Sequence, residues 1–209
     1  MTQVKICGVN DALAFDTAVA EGADFIGFVF FARSPRYVTP AQAAALSARH
    51  RGGPKRVALL VEPSDDLVAE AVAALRPDVL QLYTNPARVA ELRARFGMPV
   101  WRGVGVSAAA DLPTGTDGAD ALLIETKAPA DATRPGGNAV AFDWSILAGW
   151  KPGFDWMLAG GLSPDNVAEA IRVTGAPGVD VSSGVESAPG VKDAALIRAF
   201  VAAARAAAT

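Results

Sequence analysis

The stretch Asp155–Glu186, DWMLAGGLSPDNVAEAIRVTGAPGVDVSSGVE, decides the fold. It opens with a short apolar run of strand type that ends at Gly160-Gly161. Ser163-Pro164-Asp165 then predicts the start of a helix, with the serine as N-cap and the proline at the first helical position. Apolar residues recur at helical spacing as far as Gly175, and Val179-Asp180-Val181 is typical of the next strand. The stretch therefore predicts a β-α-β unit.

Both strands of this unit end in glycine or hydroxyl residues. Gly160-Gly161 follows the first strand, and Ser182-Ser183-Gly184 follows the second. Backbone N–H groups in such turns can approach an anion and hydrogen-bond it. We expect these two turns to bind a phosphate group, and Gly136-Gly137 in the long loop 127–142 to add further N–H groups.

The same alternation of strand and helix runs through the whole chain. Strands are predicted to start near residues 3, 25, 56, 79, 100, 121, 155 and 178. Segment 107–118 contains Pro113, Gly115 and Gly118, which favour a single turn or an irregular loop in place of the fifth helix. Eight alternating units predict a closed, parallel (β/α)8 TIM barrel, formed by residues 1–209 as one catalytic domain. A Rossmann-like open sheet is the alternative, but no G-x-G-x-x-G motif follows the first strand.

Composition narrows the classes of partner. Apolar residues make up 51% of the chain and no run reaches the roughly 18 residues of a membrane span, so a soluble globular protein is expected. The N-terminal residues lack the pattern of a secretory signal, which predicts a cytoplasmic protein. A net charge of -3 gives no basic footprint for nucleic acid, and one cysteine with one histidine argues against a metal site. A small-molecule partner is expected.

Strand alternation brings reactive side chains to one face. If Cys7 points into the barrel then Lys5 does too, and Glu125 and Asp180 are predicted to face inward on strands six and eight. An acid on the inner face beside strand one is a natural partner for Lys5. A thiol, a carboxylate and a phosphate site thus meet at the barrel mouth, where catalytic residues of such barrels lie. A buried structural cysteine and a structural acid remain the plainer interpretations.

Arg36 lies in the turn that follows strand two. Its guanidinium has the geometry to bind a substrate carboxylate through two hydrogen bonds. A solvated surface arginine is the alternative.

Five motifs resemble the phosphoribosylanthranilate isomerase family, in the family's order and over nearly the whole chain. They are Lys5-Ile6-Cys7-Gly8; Gly27-Phe28-Val29-Phe30 with Ser34-Pro35-Arg36-Tyr37; Gly136-Gly137 before Phe142-Asp143-Trp144; Ala159-Gly160-Gly161-Leu162-Ser163-Pro164-Asp165-Asn166-Val167; and Asp180-Val181-Ser182-Ser183-Gly184-Val185-Glu186. The resemblance implies an enzyme of tryptophan biosynthesis that needs no cofactor and leans toward a monomer. Its reaction would convert N-(5'-phosphoribosyl)anthranilate into 1-(o-carboxyphenylamino)-1-deoxyribulose 5-phosphate, an Amadori rearrangement.

The resemblance also implies roles for individual residues. Residue 125 would be the general acid that protonates the furanose ring oxygen, and Cys7 the general base that removes the C2' proton. Arg36 would bind the anthranilate carboxylate, and Asp180 would lie near the substrate amine. Lys5 is a candidate source of the positive charge that a thiolate at Cys7 needs.

Three positions at the mouth depart from the family pattern. Glu125 stands where the family has aspartate, and its extra methylene moves the carboxyl by roughly 1 Å, a shift that can cost on the order of a hundredfold in rate. Gln81-Leu82-Tyr83-Thr84 stands where the family has Gln-Leu-His-Gly, so Gln81 and Tyr83 are expected to face the substrate. Ala139 replaces a glycine after Gly136-Gly137. Two functions stay open: a working isomerase, or a divergent phosphate-binding barrel with a changed reaction or no turnover.

Overall fold

The structure is a computed structural model that describes residues 1–127 and 143–207. Eight parallel strands close into a barrel in sequence order, which confirms the predicted (β/α)8 fold. The strands are β1 (Gln3–Cys7), β2 (Phe25–Val29), β3 (Lys55–Val61), β4 (Val79–Tyr83), β5 (Val100–Val106), β6 (Ala121–Thr126), β7 (Asp155–Leu158) and β8 (Gly178–Val181). Only β3 starts at a different residue from the predicted one, one position earlier.

Helices connect most of the strands. They are α1 (Ala12–Ala20), α2 (Pro40–Ser47), α3 (Asp65–Leu75), α4 (Pro86–Phe96), α5 (Val167–Thr174) and α6 (Ala194–Ala206). A single 3₁₀ turn, Ala109–Asp111, lies between β5 and β6, as the proline and glycines of that segment predict. None of the helices in the described ranges is long and apolar enough to cross a bilayer.

The start of α5 corrects one prediction. Ser163 is not the N-cap, because the helix begins at Val167 after a turn at residues 164–166. The side chain of Asn166 accepts a hydrogen bond from the Ser163 N–H at 2.7 Å and donates one to the Gly161 carbonyl at 3.0 Å. These two hydrogen bonds stabilise the turn that joins β7 to the helix.

Strand alternation separates two packed regions. Inward side chains of five strands fill the N-terminal part of the barrel, and Trp101 packs against them; they are Phe25, Val57, Val79, Leu123 and Met157. Outward side chains such as Val4, Ile6 and Leu122 pack under the helices. In the described residues the interior of the barrel is therefore filled at its N-terminal end, and a pocket lies toward the C-terminal ends of the strands.

Aspartates join strands in pairs at the N-terminal end of the barrel. Each precedes an even-numbered strand, and its side chain accepts a hydrogen bond from a backbone N–H of the preceding odd-numbered strand. The pairs are Asp24 with Val4 at 2.7 Å, Asp78 with Arg56 at 2.7 Å and Asp120 with Val100 at 2.8 Å. We call these three residues the aspartate clamps. No such clamp is recorded for β7 and β8, whose pairing in the described residues is Leu158 with Val179.

A short hairpin follows the barrel's last strand and was not predicted from the sequence. It consists of β9 (Glu186–Ala188) and β10 (Val191–Lys192), which pair antiparallel. Its turn lies so close to the loop after β2 that a Cβ on Gly190 would overlap the Pro35 carbonyl. Asn10 donates a hydrogen bond to the Gly190 carbonyl at 3.0 Å. The hairpin is therefore fixed to the loops that follow β1 and β2.

Candidate active site

A pocket opens at the C-terminal ends of the strands. Most of the residues singled out from the sequence line it: Cys7, Arg36, Tyr83, Glu125, Gly160, Gly161, Asp180, Ser182 and Ser183. Part of the remaining lining is apolar and consists of Val29, Phe31, Leu59, Val61 and Leu162. Lys5, Gln81 and Gly184 are not among the lining residues, and Gly136 and Gly137 lie outside the described residues. The pocket thus combines charged and polar groups with a face suited to an apolar ring.

Lys5 and Asp180 form a buried ion pair at the base of the pocket. Their positions are paired in register on β1 and β8, and the Lys5 Nζ lies 2.9 Å from the Asp180 Oδ1. This confirms the expected acidic partner beside strand one. Gly27 leaves room for the neighbouring thiol, since a Cβ there would lie 3.0 Å from the Cys7 Sγ and 3.2 Å from the Lys5 Nζ. Cys7 therefore lies directly beside a buried ammonium group.

The ammonium group does not by itself make Cys7 a thiolate. Burial raises the pKa of the Cys7 thiol, and the charge of Asp180 raises it further, whereas Lys5 and Lys192 act in the opposite direction. The net pKa lies above the ordinary thiol value. Lys5 therefore acts in the direction expected of it, by lowering the Cys7 pKa, but it offsets only part of the cost of burying the charge. Burial also opposes the charge of Lys5, but Asp180 and Cys7 raise its pKa, so Lys5 stays protonated.

Glu125 is protonated at neutral pH. Its side chain points inward at the end of β6 and is 5% exposed. Burial raises the pKa of the Glu125 carboxyl to about 8, although a hydrogen bond from the Tyr83 hydroxyl favours the carboxylate. A neutral carboxyl in the same pocket as a thiol can donate a proton, which is what a general acid requires.

Tyr83 reaches Glu125 across β5. The inward positions of β5 near the mouth are Gly103 and Gly105, and a Cβ on Gly103 would overlap the Tyr83 ring. The missing side chain makes room for the ring between β4 and β6. The Gln81 Nε2 donates to the Tyr83 hydroxyl oxygen at 3.3 Å. Burial raises the pKa of Tyr83 well above its usual value, so the phenol keeps the proton that it donates to Glu125.

Arg36 is a buried arginine with a carboxylate partner. Its Nε and Nη2 donate to the two carboxylate oxygens of Glu186 at 2.6 and 2.8 Å. The Lys192 Nζ donates to the Glu186 Oε1 at 2.8 Å and to the Ser182 carbonyl at 2.8 Å. The surface arginine proposed as the alternative is therefore wrong. Glu186 and Lys192 are site neighbours that the sequence does not single out, although Glu186 closes the last of the five motifs.

The two glycine and serine turns form one cradle. Gly160 and Gly161 have φ values of +85° and +67°, and a Cβ on Gly184 would overlap the Leu162 carbonyl. The turn after β8 thus packs against the turn after β7. Within residues 1–127 and 143–207, the N–H groups of Gly160, Gly161, Ser183 and Gly184 have no recorded hydrogen-bond partner. Unpaired N–H groups of this kind suit an anion.

Comparison with known proteins identifies the family. A family model described as N-(5'phosphoribosyl)anthranilate (PRA) isomerase matches residues 4–203. The N-(5'-phosphoribosyl)anthranilate isomerase of Paracoccus denitrificans is 55% identical over 205 residues, with 95% of each chain covered. That of Granulibacter bethesdensis is 52% identical over 206 residues, covering 98% of this chain and 99% of the relative.

A solved structure gives the same result. It is a crystal structure of phosphoribosylanthranilate isomerase in complex with reduced 1-(o-carboxyphenylamino)-1-deoxyribulose 5-phosphate, and it matches with a TM-score of 0.82 at 31% identity. The match covers 99% of this chain and 100% of that one. The chain therefore belongs to the N-(5'-phosphoribosyl)anthranilate isomerase family.

Proposed function

We propose that this protein isomerises N-(5'-phosphoribosyl)anthranilate to 1-(o-carboxyphenylamino)-1-deoxyribulose 5-phosphate in tryptophan biosynthesis. Family membership over residues 4–203 supports the reaction. The observation that carries the assignment of roles is the buried carboxyl of Glu125, whose pKa burial raises, in one pocket with the buried thiol of Cys7. An Amadori rearrangement needs such an acid and such a base in one site.

Glu125 acts in the first step as general acid. It gives its proton to the furanose ring oxygen, the bond from that oxygen to C1' breaks, and the nitrogen lone pair forms the C1'–N double bond of a Schiff base. The hydrogen bond from Tyr83 then becomes stronger, because the carboxylate that remains is a better acceptor than the carboxyl. Asp180 lies on the pocket wall, where its negative charge favours the cationic Schiff base.

Cys7 acts in the second step as general base. Its thiolate removes the proton from C2', and the electron pair of that C–H bond forms the C1'–C2' double bond of an enolamine, which tautomerises to the ketone. The thiolate is the minor form in the free enzyme because burial raises the thiol pKa. Lys5 contributes by stabilising that thiolate, and its pairing with Asp180 fixes its position.

The two anionic groups of the substrate bind at separate places. Arg36 binds the anthranilate carboxylate, and the aromatic ring lies on the apolar lining that includes Leu59 and Val61. The phosphate binds the backbone N–H groups of the turns after β7 and β8, which have no hydrogen-bond partner among residues 1–127 and 143–207. Gly136 and Gly137 are proposed to complete this phosphate site. We propose that residues 1–209 act as one catalytic domain and, from the family resemblance, that a monomer is the active unit.

Turnover of phosphoribosylanthranilate by the purified protein tests this function. Activity is expected in the wild type and absent in Cys7→Ser and Glu125→Gln, which keep the side-chain sizes but remove the base and the acid. Glu125→Asp restores the shorter acid of the family pattern and is expected to retain or increase the rate. A folded wild type that binds the reduced product analogue without turnover, together with an inactive Glu125→Asp, would refute the proposal and favour the divergent phosphate-binding barrel.

A further inference from the structure

Glu186 belongs to a buried cluster at the edge of the pocket. Its carboxylate accepts hydrogen bonds from the Arg36 Nε, the Arg36 Nη2, the Lys192 Nζ and the Gly190 N–H, at 2.6, 2.8, 2.8 and 3.2 Å. The side chains of Arg36, Glu186 and Lys192 are 4%, 4% and 0% exposed. A carboxylate with this many donors is fully satisfied, and none of the proposed chemical steps uses it.

The charges of the cluster do not cancel. Two basic side chains, Arg36 and Lys192, surround one carboxylate, Glu186, so the formal charge of the cluster is +1; burial lowers the pKa of Lys192, and Glu186 opposes that shift. Buried charges are costly unless they are paired, and an ion pair for stability alone would need only one cation. An excess positive charge beside the pocket is expected where an anionic group of a bound ligand neutralises it.

The cation of the cluster that faces the pocket is Arg36. Glu186 occupies the Nε and Nη2 side of the guanidinium, and the remaining N–H groups of Arg36 have no recorded partner in the described part of the chain. Arg36 lines the pocket, whereas Glu186 and Lys192 do not. On its other side the Arg36 stem packs against Gly8, where an added Cβ would lie 3.1 Å from the Arg36 Cγ. The guanidinium is thus held from two directions.

We propose that Glu186 is the positioning residue that orients Arg36 for the carboxylate of the aromatic ligand. Glu186 touches no reacting atom; it fixes one edge of the guanidinium so that the free edge faces the pocket. Lys192 keeps the Glu186 charge balanced and ties the hairpin to Ser182, at the cradle. The inference rests on the proposed function, since it takes the ligand carboxylate from the proposed substrate.

Binding of two ligands separates positioning from general damage. The first is reduced 1-(o-carboxyphenylamino)-1-deoxyribulose 5-phosphate, and the second is the same molecule without the ring carboxylate. Titration calorimetry should show that Glu186→Gln lowers the affinity for the first ligand about ten- to a hundredfold, because loss of a hydrogen bond to a charged group has an effect of that size. The affinity for the second ligand should change by no more than about twofold. Asp16→Asn is the matched control, because Asp16 accepts the same two-pronged bond from Arg49 on the exposed surface.

A second variant shows whether Glu186 acts through Arg36. In an Arg36→Met background, Glu186→Gln should cause no further loss of affinity for the carboxylated ligand. Equal loss of both ligands in Glu186→Gln, or an unchanged affinity for both, would overturn the inference. Should Glu186→Gln fail to fold, the same ligand ratio in Glu186→Asp decides in its place. A wild type that binds neither ligand would instead refute the proposed function, so the two failures are distinguishable.

Discussion

The Tyr83 phenol on β4 and the Glu125 carboxyl on β6 interact across the strand between them, and the phenol lowers the pKa of the carboxyl. Gly103 on that strand leaves the space that the tyrosine ring fills. The tyrosine and the glutamate are two of the positions at which the chain departs from the family pattern. Because these two residues interact, we interpret the longer acid and the phenol as one coupled change from the family pattern rather than as two independent changes.

Removing the Tyr83 hydroxyl should change the pH dependence of the reaction. The active form needs a Cys7 thiolate and a protonated Glu125, so kcat/KM should rise with pH until Glu125 loses its proton at about 8 and then level off. The hydrogen bond from Tyr83 lowers the Glu125 pKa, so in Tyr83→Phe that pKa rises and the rate levels off at a higher pH. A pH profile of kcat/KM checks this. Tyr37→Phe, the other tyrosine and an exposed one, should leave the profile unchanged.

A side chain at residue 103 should displace the Tyr83 ring. Gly103→Ala places a methyl group where the ring lies, and overpacking of this kind costs about 1–3 kcal/mol in the free energy of unfolding. Urea denaturation measures the loss. Gly115→Ala is the control, since a Cβ there meets nothing within 4 Å. Additive losses in a Gly103→Ala/Tyr83→Ala double variant would contradict the overlap, because the smaller residue 83 removes it.

Replacing Lys5 should make Cys7 harder to ionise. The positive charge of Lys5 lowers the Cys7 pKa, so Lys5→Met raises it and reduces the thiolate fraction at every pH below that value. The chain has one cysteine, so the pH dependence of alkylation by iodoacetamide reports Cys7 alone. The midpoint should move to higher pH in the variant. Lys5→Met leaves the buried carboxylate of Asp180 without its partner, which could unfold the protein. The double variant Lys5→Met/Asp180→Asn removes that carboxylate and serves as the second test if the single variant does not fold.

An aspartate clamp should contribute to stability from outside the pocket. Val4 is fully buried, and its N–H is left without a partner in Asp24→Ala, which should lower the free energy of unfolding by about 1–3 kcal/mol. Asp24→Asn keeps an acceptor oxygen and should lose less. Asp155→Ala is the control, because Asp155 is an exposed acid at the start of β7 and its side chain has no hydrogen bond within the described ranges. Its free energy of unfolding, from thermal or urea denaturation, should stay within about 0.5 kcal/mol of the wild-type value. Equal losses in all three variants would contradict the role of the clamp.

Local sequence patterns determine much of the fold. The alternation of strand and helix, and the inward phase that Lys5 shares with Cys7, follow from periodicity within a few residues. The contact between Lys5 and Asp180 could also be anticipated, because a closed barrel places the last strand beside the first. The start of the helix after β7 differs from the prediction, because the Asn166 side chain bonds to the Ser163 N–H and the Gly161 carbonyl and the residues before Val167 form a turn.

Other contacts depend on the assembled barrel and could not be read locally. The pairing of Arg36 with Glu186 joins residues 150 positions apart through a hairpin of very short strands. The raised pKa of Cys7 has the same origin, because the cost of burial depends on every element packed around the thiol. Tyr83 reaches Glu125 only because an intervening strand presents glycine, and neither neighbour along the chain reveals that gap.

The cradle stands at the weakest seam of the barrel. β7 and β8 carry its two turns at one end and pair at one position, Leu158 with Val179, whereas the aspartate clamps hold three other strand pairs at the opposite end. Local opening of the unliganded protein should therefore begin between β7 and β8, with faster amide hydrogen exchange there than in β3 and β4. A bound phosphate would accept bonds from both turns and join the two strands. Substrate would then strengthen the contact between these two strands, so affinity for the ligand and rigidity of the fold would arise from the same hydrogen bonds.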